Sequence, residues 1–199
     1  MQNRLGKSGP MRAGAGSRPA ASPRGGVGET RTLFLVGFMG AGKTSVGRAL
    51  SRRLGWPFED LDDRIQHREG KSIEQIFLES GEAEFRRAET AALHELLKEL
   101  QSSFRVVALG GGAFVQPANA TLIEQAEVHT VFLDAPVNEL LRRCEAEAKE
   151  RPLRQSPEQF CELYEQRRRS YMKAAVRIET NGKDVDTVAA EVACSLGLE

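Results

Sequence analysis

From Thr32 onward, short apolar runs of β type alternate with segments in which apolar residues recur at helical spacing. The apolar runs predict five strands, at residues 33–36, 57–61, 106–109, 130–133 and 176–179. Strands that alternate with helices are typical of a parallel sheet covered by helices on both faces. The pattern therefore predicts an α/β fold with three layers, helices on either side of a five-stranded parallel sheet.

The helical periodicity predicts six helical segments. They span 43–54, 72–100 with a break at Gly81, 117–125, 137–148, 157–173 and 185–196, and Gly55 ends the first. Two stretches interrupt the alternation of strands and helices: a helical insertion at about 62–100 and a charged run at about 145–156. Because long insertions in compact domains are usually functional or mobile, we expect both to handle the substrate.

The first 28 residues differ from the rest, because they contain no acidic residue and are rich in Gly, Ala, Arg, Ser and Pro. This composition predicts a disordered basic tail, or a start codon placed too far upstream, rather than a targeting signal. Residues 29–199 then form a single domain, since a chain of 199 residues with 40% hydrophobic content is long enough for one core.

Charge and cysteine content exclude several classes of protein. Lys+Arg and Asp+Glu both number 28, so the net charge gives no reason to expect binding to nucleic acid or to a membrane surface. The three cysteines, Cys144, Cys161 and Cys194, form no CxxC pair, which argues against a disulfide framework and a zinc site. We expect a cytoplasmic protein, and nothing in the sequence requires more than a monomer.

Residues 37–44 read GFMGAGKT, a full match to GxxxxGK(S/T) directly after the first predicted strand and at the start of a helix. Glycines let the backbone bend tightly and bring its N–H groups to phosphate oxygens, and the helix N-terminus adds positive charge. Lys43 would reach the β- and γ-phosphates, and the hydroxyl of Thr44 would coordinate Mg²⁺. A glycine-rich turn without a nucleotide would explain the glycines but not the Lys-Thr pair.

Two aspartates follow the second predicted strand, in Phe58-Glu59-Asp60-Leu61-Asp62. If the strand continues through them, the i, i+2 spacing places Asp60 and Asp62 on one face, at the carboxyl end where ligands bind in such sheets. One carboxylate could help to hold Mg²⁺ while the other accepts a hydrogen bond from an attacking hydroxyl. The alternative is that the aspartates only end the strand or cap a helix.

Residues 81–89 read GEAEFRRAE, and Gly110-Gly111-Gly112 follows the third strand. Three glycines at the carboxyl end of a strand indicate backbone that approaches a ligand closely. Arg86 offers a planar fork that suits a carboxylate. Taken alone, Arg86 is better explained as a solvated helix residue.

These four motifs, in this order, resemble those of the shikimate kinases, and the resemblance extends from Thr32 to about Leu198. Two further matches are Arg151-Pro152-Leu153 and Arg167, four residues before Tyr171. The resemblance implies a P-loop kinase fold with a substrate-binding insertion and a lid, and phosphorylation of the 3-hydroxyl of shikimate by ATP with Mg²⁺.

The resemblance also implies roles for individual residues. Catalysis would depend on Lys43, Asp62 and Arg151. Shikimate would be bound by Asp62, Arg86, Gly110, Gly111, Gly112 and Arg167. The nucleotide would be bound by Gly40, Ala41, Gly42, Lys43, Thr44, Ser45, Arg143 and Arg151, with the 180–182 loop beside the base, and the metal by Thr44 and Asp60.

Departures from the family pattern leave some roles open. The chain reads Arg151-Pro152-Leu153-Arg154 where the family often has RPLL, so Arg154 could share the role of Arg151. Arg167 is followed by Arg168 and Arg169, so Arg168 is an alternative for the carboxylate. Asp62 could act as a base or only orient the hydroxyl. Other functions to weigh are a related small-molecule P-loop kinase, such as one acting on gluconate, and a catalytically silent nucleotide-binding domain.

Overall fold

A computed structural model describes residues 32–99, 104–147 and 156–198 of the chain. The strands are β1 Thr32–Val36, β2 Phe58–Asp60, β3 Arg105–Ala108, β4 His129–Asp134 and β5 Val176–Glu179. The α-helices are α1 Lys43–Leu54, α2 Leu61–Glu69, α3 Ile73–Glu99, α4 Pro117–Gln125, α5 Val137–Glu147, α6 Pro157–Tyr171 and α7 Val185–Ser195, and a 3₁₀ turn spans Ala113–Val115.

The five strands form one parallel sheet in the order β2-β3-β1-β4-β5, which confirms the predicted fold class. β1 lies in the centre, so the chain turns to one side of β1 for β2 and β3 and to the other side for β4 and β5. In open parallel sheets, ligands bind outside the carboxyl ends of the strands where the strand order reverses. That edge is formed here by the segments that follow β1, β2 and β3.

The central strand is buried on both faces, as expected for a parallel sheet between two helical layers. All five residues of β1 are buried, and Leu33, Phe34 and Leu35 are fully inaccessible to solvent. On the flanks of the sheet, α1 packs against α7 and α2 packs against α3. No helix in the described part of the chain is long and apolar enough to cross a membrane.

The segment after β2 differs from the prediction. The strand ends at Asp60 and helix α2 begins at Leu61, so Asp60 and Asp62 do not share one face of a strand. The carboxylate of Asp60 accepts a hydrogen bond from the backbone N–H of Asp62, which makes Asp60 the N-cap of α2. α2 was not predicted because only Leu61 and Ile65 of its nine residues are buried, too few for a clear helical period.

Other predicted boundaries agree with the structure to within a few residues. The break at Gly81 is confirmed, since this residue has φ 79° and ψ 174° inside α3. Of the predicted lid at 145–156, the first three residues complete α5 and Ser156 caps α6. The rest of the lid, residues 148–155, and the predicted tail at 1–28 lie outside the described residues.

Helix α1 approaches β2 closely at Gly47. A Cβ on this residue would lie 2.3 Å from Cε2 of Phe58, far inside van der Waals contact. Asp60 is the last residue of β2. The close packing of α1 against β2 at Gly47 therefore helps to set the distance between the Asp60 carboxylate and the start of α1.

We expect Gly47→Ala to destabilise the protein by about 1–3 kcal/mol, because the methyl group overpacks the contact with the Phe58 ring. In an unobstructed helix the same change would stabilise by about 1 kcal/mol. Denaturant unfolding gives the sign of the effect. Arg52→Ala on the exposed face of α1 is the control, and adding Phe58→Leu should recover part of the loss. If Gly47→Ala instead raises the free energy of unfolding, the Phe58 ring moves aside at little cost and the contact does not restrict this position.

Candidate active site

The loop between β1 and α1 forms a cradle for an anion. Gly42 has φ 84°, a left-handed conformation that glycine adopts without strain, and it immediately precedes α1. No side chain caps this helix and its first turn holds no acidic residue, so the free backbone N–H groups remain available to a phosphate. The Lys43 ammonium donates to the carbonyl oxygens of Gly37 at 2.9 Å and Phe38 at 3.0 Å.

The predicted nucleotide-binding residues Ala41 and Ser45 differ in their exposure. Ala41 is buried, whereas Ser45 is exposed in the first turn of α1. Burial lowers the pKa of Lys43, and the carboxylates of Asp62 and Asp60 partly offset this effect. Lys43 is therefore a cation held beside two acids at the start of α1.

Thr44 and Asp60, the two residues predicted to bind magnesium, lie next to each other. The Thr44 hydroxyl donates to Oδ2 of Asp60 at 2.8 Å. Among the described residues, no group of three or more His, Cys, Asp and Glu side chains could hold a metal ion. Mg²⁺ does not require such a group, since it keeps several waters and takes one or two protein ligands beside substrate phosphates. One hydroxyl and one carboxylate next to the phosphate cradle fit this ion.

Asp62 lies in the first turn of α2, next to the cradle. Burial, followed by the negative charge of Asp60, raises the pKa of Asp62 to about 6, although Lys43 acts in the opposite direction. A carboxyl group with a pKa near neutrality can accept a proton or orient a hydroxyl under physiological conditions. The structure thus brings Asp62 to the position that the sequence predicted, by a helix turn rather than a strand face.

All three glycines after β3 lie beside charged side chains of the protein, and two of them, Gly110 and Gly112, leave no room for a Cβ. A Cβ on Gly110 would lie 2.5 Å from Oδ1 of Asp62, and one on Gly112 would lie 2.2 Å from a terminal nitrogen of Arg86. A Cβ on Gly111 would lie 3.7 Å from a terminal nitrogen of Arg167. Residues 110–112 therefore bring together the three charged side chains that the sequence assigned to the substrate.

Glu89 is a residue of this site that the sequence analysis missed. Its side chain is 1% exposed, and its Oε2 accepts from a terminal nitrogen of Arg86 at 2.9 Å and from Nε2 of Gln116 at 2.5 Å. Its Oε1 is buried without a hydrogen-bond partner and would lie 3.2 Å from a Cβ on Gly110. The spacing of three residues from Arg86 on α3 was the available signal.

Arg86 is fixed from both sides. Beside Glu89 it contacts Glu82, to whose Oε1 it donates at 3.1 Å, and Glu82 is largely exposed. The pKa of Glu89 is raised mainly by burial, while the charge of Arg86 opposes this effect. The Arg86 guanidinium is therefore paired with buried Glu89 on one side and with exposed Glu82 on the other.

The structure separates the two alternatives Arg167 and Arg168. The guanidinium of Arg167 lies 5.9 Å from the centre of the Phe38 ring and beside Gly111. Arg168 instead donates to Tyr164 and Asp134, at 3.1 Å each. Of the two, Arg167 is the one next to Gly111 and the phosphate loop.

Tyr171, at the end of α6, fixes that helix against the glycine segment. Its hydroxyl donates to the carbonyl oxygen of Gly111. Burial raises the pKa of Tyr171 to about 12, so the hydroxyl stays protonated and remains a donor. The end of α6 that carries Arg167 is thus bonded directly to residues 110–112.

Arg143 lies at the other end of the phosphate loop. Its guanidinium donates to Oγ1 and to the carbonyl oxygen of Thr180 at 3.2 Å each, and pairs with Glu139 at 2.7 Å. It also reaches the carbonyl oxygen of Gly40 at 3.5 Å. Arg143 therefore joins the phosphate loop to the 180–182 loop, and the place of both beside the base of the nucleotide stays a prediction. Arg151 and its alternative Arg154 lie outside the described residues.

Comparisons with known proteins agree with this arrangement. A family model described as shikimate kinase matches residues 39–196. A shikimate kinase of Geobacter sulfurreducens is 43% identical over 166 residues, which cover 82% of this chain and 89% of that protein.

Solved structures of similar proteins show the same architecture. The chain is similar to shikimate kinase from Acinetobacter baumannii in complex with shikimate, with TM-score 0.75 and 38% identity over 84% of this chain and 94% of that one. It is also similar to the Aquifex aeolicus enzyme, with TM-score 0.71 and 36% identity over 83% and 96% of the two chains. With the P-loop, the carboxylate beside it and the paired arginines in one site, the chain belongs to the shikimate kinase family.

Proposed function

We propose that this protein transfers the γ-phosphoryl group of ATP to the 3-hydroxyl of shikimate, giving shikimate 3-phosphate and ADP, a step of aromatic amino acid biosynthesis. The observation that carries the proposal is the grouping of Asp62, Arg86 and Arg167 around residues 110–112, beside the phosphate loop. Shikimate has one carboxylate and three hydroxyls, so it needs cations at one end and a hydrogen-bond acceptor at the other. This site offers both.

In this proposal Arg86 and Arg167 bind the carboxylate of the substrate. Arg86 keeps its contact with buried Glu89, and the substrate replaces exposed Glu82 on the other side of the guanidinium. Asp62 accepts hydrogen bonds from the ring hydroxyls, and the backbone of Gly110, Gly111 and Gly112 donates to the same ligand. Bidentate guanidinium contacts fix the orientation of a carboxylate, which places the distant hydroxyl.

The nucleotide is bound by the loop that precedes α1. Gly40, Ala41, Gly42, Lys43, Thr44 and Ser45 surround the phosphates, and Arg143 with the 180–182 loop holds the base. Thr44 and Asp60 hold Mg²⁺, which supplies positive charge to the phosphate oxygens when bound. Lys43 neutralises charge on the group in transfer, and Arg151, in the segment 148–155, is assigned the same role.

The reaction forms one bond and breaks another. The 3-hydroxyl oxygen bonds to the γ-phosphorus, the bond from that phosphorus to the bridging oxygen breaks, and ADP leaves with the electron pair. Asp62 orients the hydroxyl and takes its proton as the new bond forms. Because the transition state is loose, positioning and charge neutralisation contribute more than early proton removal.

The proposal extends to the organisation of the chain. Residues 29–199 act as one domain, with the substrate insertion at about 62–100 and a lid at about 145–156, and the protein works as a cytoplasmic monomer without nucleic acid or membrane partners. Asp62, Arg86 and Arg167 come together around residues 110–112 within one copy of the chain, so their grouping requires no second copy.

We expect ADP release from Mg-ATP to depend on shikimate. Purified protein is assayed with shikimate, gluconate, a nucleoside monophosphate or no acceptor. Only shikimate should stimulate turnover, because only shikimate matches the carboxylate and hydroxyl contacts together. Equal stimulation by gluconate would identify a broader metabolite kinase, and no stimulation by any acceptor would identify a silent nucleotide-binding domain.

We expect Asp62→Asn to lower kcat by about 10²- to 10⁴-fold, because the substrate hydroxyl loses its acceptor. ATP binding, measured by calorimetry, should change by less than about threefold. The neighbouring exposed variant Asp63→Asn removes the same charge and is the matched control, with kcat nearly unchanged. Loss of ATP binding in parallel with kcat would contradict the role assigned to Asp62.

We expect kcat/KM for shikimate, measured with both substrates below saturation, to fall about tenfold per pH unit below about pH 6. The pKa of Asp62 is raised to about 6, so its carboxylate is protonated below that pH and no longer accepts the hydroxyl proton. Asp63 contributes to this increase, so Asp63→Asn should move the acid limb to lower pH. A profile that stays flat down to pH 5 would rule out Asp62 as the titrating group.

A further inference from the structure

Asp134, the last residue of β4, lies outside the contacts described for either substrate. It is 2% exposed. Its carboxylate accepts hydrogen bonds from the Tyr164 hydroxyl and from Arg168, at 3.1 Å each, and from Nε of Arg177 at 2.9 Å. We call Asp134, Tyr164, Arg168 and Arg177 the Asp134 cluster. It joins α6 to the last residue of β4 and to Arg177 of β5.

The cluster is continuous, so its members support one another. Arg168 donates through Nε to the Tyr164 hydroxyl at 3.1 Å and through a terminal nitrogen to Asp134. Burial, with the charge of Asp134 beside it, raises the pKa of Tyr164, which keeps its hydroxyl protonated and able to donate. A buried carboxylate with this many donors is stable, whereas removal of one partner leaves charge incompletely paired.

The position of these residues on α6 gives the cluster its relevance to the site. Tyr164 and Arg168 are four residues apart and so share one face of the helix, while Arg167 and Tyr171 share the adjacent face. Rotation of α6 that released Arg168 from Asp134 would therefore turn Arg167 away from Gly111. Tyr171 restrains the last turn of the helix, and the cluster restrains the same turn through Arg168 and the preceding turn through Tyr164.

Helix α6 also contacts the phosphate loop directly. The Phe38 ring packs edge-on against Phe160 at 5.0 Å and against Tyr164 at 5.5 Å, and Arg167 lies over it at 5.9 Å. The ring of Tyr164 thus packs beside the loop that binds phosphate while its hydroxyl is held by Asp134. Arg167 is placed by the backbone of α6 and by this ring together.

We propose that Asp134 and Arg168 are positioning residues, which hold α6 in the rotation that presents Arg167 to the carboxylate of the substrate. The inference rests on the proposed role of Arg167 in shikimate binding. It also gives a function to Arg168, the second arginine of the 167–169 run. Arg168 acts through its neighbour and through Asp134, without contact to the substrate.

The test compares full-length variants by calorimetric Kd for shikimate, by KM for ATP and by thermal unfolding. We expect Arg168→Gln and Asp134→Asn each to raise the Kd for shikimate about 3- to 10-fold. Because both substitutions break the same contact, the Kd of the double variant should not exceed the higher of the two single-variant Kd values. KM for ATP should change by less than about twofold. Arg169→Gln, an exposed neighbour with the same loss of charge, is the matched control and should leave the Kd unchanged.

Other outcomes separate the possible failures. A raised Kd in Arg168→Gln with a normal Kd in Asp134→Asn would mean that Arg168 binds the substrate directly, which overturns the positioning role. A lower melting temperature with an unchanged Kd in both would leave only a structural role and also overturn it. If Arg167→Gln itself leaves the Kd unchanged, the proposed carboxylate site fails together with this inference.

A milder variant keeps the inference testable if Asp134→Asn does not fold. Tyr164→Phe removes one hydroxyl from the Asp134 cluster and keeps the ring that packs on Phe38. We expect it to raise the Kd for shikimate about twofold while the protein stays folded. A Kd within error of the unsubstituted protein, in a folded Tyr164→Phe variant, would count against the inference.

Discussion

Charged side chains with little access to water meet where the backbone at residues 110–112 comes close to α2 and α3. At Gly110 and Gly112 any Cβ would occupy the space of Asp62 or Arg86. Because of this close approach, the carboxylate of Asp62 on α2 and the guanidinium of Arg86 on α3 both lie next to the segment that follows β3. The phosphate loop after β1 is beside them. The phosphate loop, the metal pair and the arginine on α6 are arranged around this point, so the site depends on glycine there as much as on its charged residues.

The concentration of charge in a buried site has an energetic cost, which shifts the pKa values of its residues. Burial raises the pKa of both Asp62 and Glu89, and it lowers the pKa of Lys43. Each shift reports a charge held in surroundings that disfavour it, relieved in part by a neighbour of opposite sign. A site of this kind is less stable than an apolar one of equal size, but it is prepared to bind an anionic substrate and a polyphosphate together.

Several features were determined by the sequence alone. The alternation of short apolar runs with helical periods is a local property, and it predicted five parallel strands and six of the seven α-helices in the described part of the chain. The phosphate loop was recognisable because its chemistry depends on neighbouring residues, in Gly42-Lys43-Thr44 and the strand before them. The break at Gly81 followed from a residue that rarely continues a helix. The pairing of Thr44 with Asp60 as a candidate metal site came from the resemblance to the shikimate kinases, because the residues alone did not tell Asp60 from Asp62.

Only the tertiary structure decided how distant segments meet. Helix α2 carries a weak apolar period and exists because Asp60 caps it and α3 packs against it, so the sequence placed Asp62 on a strand. The buried role of Glu89 depends on Gln116 and Gly110, which lie more than twenty residues away in the chain. Arg167 and Arg168 are adjacent and chemically identical, and only the direction in which α6 faces Asp134 and Gly111 tells them apart. Local patterns specify local conformation, whereas the partner of a charged side chain is a property of the assembled fold.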